Sequence, residues 1–265
     1  MLPSLLPLLA SPETGSPLTL TVRRREGEEI VDGCLTDDAG HAYPIEQGIP
    51  RLLPHKLLEA QRSEIAARDA QVEDYDRMAF LRWFGKVEIP LTQQALGAQR
   101  ADCLLEAGCG TGRMTNILAN SVRDLVAVDF SFESLRVNQR KLRAAGVTNV
   151  HLAQADLCRL PFADCAFHRI VSCQVLEHVP GPDARAAATA SLHRVIKPQG
   201  TLVLSAYKHS LMTRAFGQKE GMHDGGIPFF RFTRNELRDT LGAQFTVHSV
   251  TGRLVYLYLA RCTKA

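Results

Sequence analysis

Three glycines at alternate positions constrain this chain more than any other feature. In Cys103-Leu-Leu-Glu-Ala-Gly-Cys-Gly-Thr-Gly112 a short apolar run ends at Glu106. Gly108, Gly110 and Gly112 follow, and Arg113-Met-Thr-Asn-Ile-Leu-Ala-Asn120 then reads as a helix. Residues without Cβ let the backbone approach another group closely, and the first turn of a helix presents unpaired N–H groups. A buried strand, a glycine turn and a helix therefore predict an α/β sheet with a nucleotide-like ligand at the strand's carboxyl end.

The rest of the chain after residue 100 alternates in the same manner. Asp124–Asp129 reads as a second strand, Ser131–Ala145 as a helix with Ser131 as N-cap, Val150–Ala155 as a third strand and His168–Cys173 as a fourth. Pro182–Ile196 reads as a helix, Lys197-Pro-Gln-Gly200 as a tight turn and Thr201–Ser205 as a fifth strand. Phe232–Leu241 reads as a last helix, with Thr233 and Glu236 spaced as a capping box, and Phe245–Val250 with Leu254–Leu259 as a closing hairpin. This alternation predicts a doubly wound, mostly parallel seven-stranded sheet with helices on both faces.

Residues 1–56 read differently. Four prolines in residues 1–17 suggest a loose arm. Leu18–Val22 alternates as a strand, Arg23-Arg-Arg25 reads as a solvated hairpin edge, and Asp37-Asp-Ala-Gly40 is a turn between two short strands. A small N-terminal β extension over 1–56 is expected to precede an α/β domain over 57–265. That domain begins with helices at 57–98, bearing Tyr75, Phe80, Trp83 and Phe84, and carries an insertion at 207–232 rich in glycine and phenylalanine.

Composition narrows the function classes. At 265 residues, 45% hydrophobic and 22% charged, the chain is an ordinary globular protein. A net charge of +3 is too mild to argue for nucleic acid. Seven scattered cysteines without a C-x-x-C pair read as reduced side chains in a cytoplasmic protein. The apolar start lacks a basic leader and is broken by Pro3 and Pro7, and no run reaches the length of a membrane span.

Several motifs together carry a family resemblance. The E-x-G-x-G-x-G turn, Asp129 and Asp156 at the next strand ends, Leu160-Pro-Phe162, Val175-Leu-Glu-His-Val179 and Leu192–Leu204 resemble class I S-adenosylmethionine-dependent methyltransferases of the small-molecule type. The resemblance covers roughly residues 100–260 and implies a Rossmann-like methyltransferase fold with S-adenosylmethionine as cofactor and S-adenosylhomocysteine as product. It implies that Gly108, Gly110 and Gly112 cradle the cofactor, that Asp129 holds the ribose hydroxyls, that Asp156 and Leu157 meet the adenine with Phe130 flanking it, and that Glu106 lies at the methionine end. The resemblance also implies that the helices at 57–98 form a lid over the cofactor, and Cys173 and, on that lid, Tyr75 complete the expected cofactor contacts. Separately, Tyr43–Pro54 resembles the end of zinc-ribbon modules fused to some methyltransferases. Only Cys34 and His41 are at hand as ligands, so a metal-free remnant is expected.

Methyl transfer from a sulfonium requires a nucleophile held in line and kept from water. A base is needed only for a protonated nucleophile. His178 after the fourth strand, Tyr207 after the fifth and His223 in the insertion are the candidate catalytic side chains. The apolar lid and Phe229, Phe230 and Phe232 favour a small-molecule or lipid-like acceptor. An RNA base methyltransferase, using Arg23–Arg25 with Lys208, Arg214 and Lys219, and a non-catalytic partner protein are the alternative readings.

Overall fold

The apolar runs of the second half pair in the order that alternating strands and helices dictate. The computed structural model describes residues 1–75, 79–210, 218–223, 226–253 and 256–265; the side chains of 73–75, 79–86 and 253 lie outside the description. The N-terminal part contains β1 (Thr19–Glu26), β2 (Glu29–Thr36), β3 (Ala42–Glu46) and β4 (Ile49–Leu52), then helices α1 (Glu59–Tyr75) and α2 (Ala79–Leu96). Next come β5 (Cys103–Ala107), α3 (Thr115–Ala119), β6 (Asp124–Asp129), α4 (Phe132–Ala144), β7 (Val150–Ala155), β8 (Phe167–Cys173), α5 (Gly181–Val195) and β9 (Ile196–Tyr207). A short hairpin of β10 (Glu220–Met222) and β11 (Pro228–Phe230) precedes α6 (Arg234–Gly242), β12 (Thr246–Arg253) and β13 (Leu257–Thr263).

The main sheet runs β1-β2-β3-β4-β7-β6-β5-β8-β9-β13-β12. The seven strands from β7 to β12 are the doubly wound sheet the sequence predicts: β7, β6, β5, β8 and β9 are parallel, and β13 lies antiparallel to β9. The chain departs from a seven-stranded sheet at its other edge. There the meander β1–β4 joins through β4, which pairs in parallel with β7 at Arg51↔Gln154 and Leu52↔Ala155. Arg51 Nε donates to Gln154 Oε1 at 2.9 Å, and Ile49 and Leu52 are fully buried. The sheet therefore runs without a break across residue 56, the expected limit of the β extension.

Three local expectations are corrected. Residues 1–17 are not a loose arm: Leu5 and Leu9 are buried in the core with Phe162, and Ala10 N–H donates to the Pro161 carbonyl at 2.9 Å. Their apolar side chains outweigh what the prolines suggest, because burying each leucine is worth about 1.5–3 kcal/mol. The tight turn at Lys197–Gly200 is absorbed into β9, whose pairing with β8 shifts register between Phe167 and Arg169 while Gln199 takes a positive φ. The first helix after the glycines is only Thr115–Ala119, because the turn itself uses Cys109 to Met114.

The expected caps form: Ser131 Oγ accepts from Ser134 N–H, and Thr233 and Glu236 make a reciprocal capping box. Arg23 and Arg24 on the edge strand β1 pair with Asp32 and Glu26. His41 Nδ1 lies 2.9 Å from Asp37 Oδ2, and the Cys34 thiol faces the Leu35 carbonyl. Among the described residues no helix is long and apolar enough to cross a membrane.

Candidate functional site

Strand order reverses between β5 and β8, so a crevice opens at the carboxyl ends of β5, β6, β7, β8 and β9. Each strand delivers a polar side chain there. β5 ends at Glu106 and passes into the glycine turn, where Gly108, Gly110 and Gly112 all have positive φ (85°, 53° and 86°). Two of these glycines are packed from behind. A Cβ on Gly108 would stand 2.2 Å from Val175 Cγ2, and one on Gly112 would stand 2.1 Å from Asn138 Oδ1. At Gly110 a Cβ would meet nothing within 4 Å. The turn is thus tight against β8's following loop and against α4, and open at its middle.

The acids at the ends of β6 and β7 are held by backbone. Asp129 Oδ2 accepts from Gly110 N–H at 2.7 Å and Oδ1 from Ser131 N–H at 2.9 Å. Burial pushes the Asp129 carboxyl above its ordinary pKa, against the lowering influence of Arg68 and those N–H groups. Two bonds leave acceptor capacity on a carboxylate for a pair of hydroxyls. Asp156 caps a 3-10 turn, Leu157–Arg159, through Cys158 N–H at 2.8 Å, and its Oδ2 accepts from Gln61 Nε2 at 2.9 Å. Phe130 and Leu157 are half-buried beside these acids in sequence, and Gln154 Nε2 fixes the Phe130 carbonyl.

Helix α1 closes over this end. Besides Gln61, Asp69 Oδ1 accepts from Ser131 Oγ and from Glu133 N–H, while Arg68 is held by Glu64 through Nε at 2.9 Å and Nη2 at 2.6 Å. The sequence reading placed a lid here but named aromatic residues for it. Tyr75, Phe80, Trp83 and Phe84 lie outside the described side chains, and the polar face Gln61, Glu64, Arg68 and Asp69 was missed. Its spacing of three and four residues is the signal that marks one helix face.

The groups around the ends of β5 and β8 are more deeply buried. Glu106 is buried, and its Oε2 has no hydrogen-bond partner among the described residues. Burial pushes its carboxyl up to about 8, with Asp129 adding to the rise and Thr115 and Arg113 opposing it. Glu88 on α2, a buried acid the sequence reading did not name, accepts from Gln174 Nε2 at 2.8 Å and Ser205 Oγ at 2.7 Å and pairs with Arg113 at 2.9 Å. A lone Glu between Val87 and Ile89 in an apolar helix is the trace it leaves in sequence. The Cys173 thiol, pushed up to about 12 chiefly by burial, lies 3.9 Å from Thr92 Oγ1.

His178, Tyr207 and His223 are brought together. Ring centroids of His178 lie 5.5 Å from Tyr207 and 5.6 Å from His223, and Tyr207 lies 6.0 Å from His223. Phe229 stacks on His223 at 4.7 Å. His178 Nδ1 is 2.8 Å from the Pro228 carbonyl. A carbonyl only accepts, so Nδ1 carries the proton and Nε2 is the free acceptor. Burial, with Arg68 and His223 nearby, lowers its pKa to about 3. Such a ring accepts a hydrogen bond and orients its donor, but it stores a proton poorly. Asp224 and Arg214 lie outside the described residues.

The residues fit S-adenosylmethionine: an open glycine cradle, a bidentate acid at β6, an acid at β7 and a buried acid with a free oxygen at β5. A family model described as a methyltransferase domain matches residues 105–204. A demethylmenaquinone methyltransferase from Renibacterium salmoninarum is 32% identical over 119 residues, which span 45% of this chain and 47% of that protein. A ubiquinone/menaquinone biosynthesis C-methyltransferase, UbiE, from Shewanella piezotolerans is 31% identical over 174 residues, 61% of this chain and 68% of its own length. The chain thus spans from about half to two thirds of these two relatives. In fold, it is similar to geranyl diphosphate C-methyltransferase from Streptomyces coelicolor, with a TM-score of 0.63 at 12% identity, over 80% of this chain and all of that one.

Proposed function

Since this chain belongs to the S-adenosylmethionine-dependent methyltransferases, we propose that it transfers the cofactor's methyl group to a small, ring-bearing hydroxylated acceptor of quinol type. Bound S-adenosylmethionine supplies an electrophilic methyl carbon on a positively charged sulfur. The protein's share is to bind, orient and exclude water. Asp129 would hold the ribose hydroxyls, Asp156 with Leu157 and Phe130 the adenine, and Glu106 the amino group of the methionine portion. The open space at Gly110, walled by Asp129 and flanked by two packed glycines, is the observation that carries the cofactor reading.

The acceptor is read from the other side of the crevice. His178, Tyr207, His223 and Phe229 make an aromatic wall under the β10–β11 hairpin, and a flat ring suits such a wall. His178 Nε2 would accept a hydrogen bond from the acceptor's hydroxyl and aim its ring at the methyl group. In this reading 57–98 is a lid and 207–232 the acceptor-side insertion. The names of the relatives, which specify demethylmenaquinone and ubiquinone or menaquinone biosynthesis, support a quinone-like ring. An RNA acceptor finds less support, because Arg23–Arg25 and Lys208 stand near opposite edges of the sheet and Arg23 and Arg24 are already ion-paired. Seven free cysteines suit a reducing, cytoplasmic setting.

The test is release of S-adenosylhomocysteine when protein and S-adenosylmethionine meet short-chain naphthoquinols, benzoquinols and a transcribed tRNA. Turnover with a quinol is expected. Turnover with tRNA alone would overturn the acceptor class while leaving the cofactor assignment standing.

A further inference from the structure

Glu177 is a buried acid to which the proposed chemistry gives no role. It lies in the 3-10 turn Leu176–His178, immediately before His178, and is 1% exposed. Neither carboxyl oxygen closes a hydrogen bond with any described residue; the backbone N–H groups of Glu177 and Tyr207 only face it. Buried polar atoms are almost always paired, and one left without a partner points to a group the protein is built to receive.

Its neighbours already have other partners. Arg68 of α1 approaches Glu177, Asp129 and His178, but its guanidinium is held by Glu64. Glu88 of α2 is bound to Arg113, Gln174 and Ser205 and adds repulsion. From β9 comes only the Tyr207 backbone. On its own turn stands His178, whose lowered pKa keeps it uncharged near neutrality, with His223 of the hairpin region behind it. The turn itself abuts the glycine cradle, because Val175 fills the space behind Gly108. A carboxyl so placed lacks the cation that would ionise it.

We propose that Glu177, buried without a hydrogen-bond partner on the turn that packs against the glycine cradle, is the counter-ion for the cofactor's sulfonium. This inference rests on the cofactor reading above. Burial, with Glu88 adding to it, holds the carboxyl up to about 8, so at pH 7 it carries its proton. Binding S-adenosylmethionine then sends that proton to bulk water, and the carboxylate and sulfonium neutralise each other. S-adenosylhomocysteine has a neutral sulfur and leaves Glu177 protonated. Once the methyl is transferred, the carbon–sulfur bonding pair stays on sulfur, the carboxylate regains a proton, and charge no longer holds the product. Glu177 is therefore a specificity residue that separates substrate cofactor from product by charge.

The experiment is calorimetric titration of S-adenosylmethionine and S-adenosylhomocysteine into the full chain at pH 7, each in phosphate and in Tris, whose ionisation heats differ. The difference between the two ligands isolates the sulfonium, because their amino and carboxyl groups are the same and contributions at Glu106 cancel. Wild type is expected to release close to one more proton with S-adenosylmethionine than with S-adenosylhomocysteine. The affinity ratio of the two should rise about tenfold per pH unit below pH 8, as linkage to one proton requires. Glu177→Gln should abolish the difference, and Glu106→Gln should keep it. Equal proton release with both ligands in wild type overturns the inference without any variant, and a difference that survives Glu177→Gln overturns it for this residue. Failure of either ligand to bind folded, ligand-free wild type overturns the cofactor reading and this inference with it.

Discussion

The two ends of the crevice are built on opposite principles. At the end proposed to hold adenosine, both oxygens of Asp129 and both of Asp156 already accept hydrogen bonds, from backbone N–H groups and from Gln61. At the end proposed to face the methyl group, one oxygen of Glu106 and both of Glu177 accept no hydrogen bond among the described residues, and His178 is anchored through Nδ1. The first end is a finished frame on which a ligand adds further bonds. The second keeps buried polar groups waiting, which costs stability and is tolerated where a ligand repays it. Binding strength should therefore reside at the adenosine end, and discrimination and chemistry at the methyl end.

The largest expected effect breaks the frame. Asp129→Ala removes a bidentate acceptor and should weaken S-adenosylmethionine binding by about a hundredfold or more, since each bond to a charged group is worth about 1.5–3 kcal/mol. Calorimetry with a thermal melt checks it; an unchanged dissociation constant would dissolve the distinction between the two ends. His178→Ala should do the converse. Cofactor affinity stays within about twofold, while kcat on a quinol falls about tenfold, the worth of one orienting hydrogen bond. Equal loss in both quantities would place His178 in the frame instead.

Gln61→Leu gives a smaller, opposite effect. The Gln61 amide occupies Asp156 Oδ2, where an adenine amino group would donate. Removing that competitor should tighten cofactor binding by about threefold, as expected when a competing closed state is lost. Weaker binding would show that Gln61 helps to hold the ligand.

The last effect is on stability rather than on binding, and it is read against pH. Glu106 and Glu177 titrate near 8 in the folded protein against 4.5 when free, so the native state binds more protons in that interval. Their contribution is present below about pH 4.5 and is lost as pH rises through 8. His178 has the opposite sign in the acid range: free at 6.5 and folded at about 3, it makes the unfolded state bind more protons, so stability falls as pH drops below 6.5. Melting temperatures of wild type and of Glu177→Gln at pH 6 and 9 check the first limb. The wild type should lose more of its stability between the two than the variant.

The frame was legible in the sequence, as were Glu106 and His178 among the waiting groups, while the roles of Glu88 and Glu177 were not, for a physical reason. β6 and β7 match their expected limits because apolar runs bounded by Asp124, Asp129 and Asp156 state where burial begins and stops. The glycine turn needs positive φ at three places, which only glycine adopts freely. By contrast, the union of β4 with β7 joins residues about a hundred positions apart, and local pattern carries no record of such a pairing. Glu88 leaves only a lone acid in an apolar helix and Glu177 only a place in the Val175–Val179 motif, and neither pattern says that the carboxyl is buried. Their burial is set by what α2 and β9 place over them, so only the folded chain shows which carboxyls lack partners.

The most direct measurement is a titration of S-adenosylhomocysteine into folded protein stripped of co-purified ligand, with Asp129→Ala beside it. Micromolar binding by the wild type, lost in the variant at an unchanged fold, is the predicted result. Absence of binding by the folded wild type would contradict the assignment of the crevice to this cofactor.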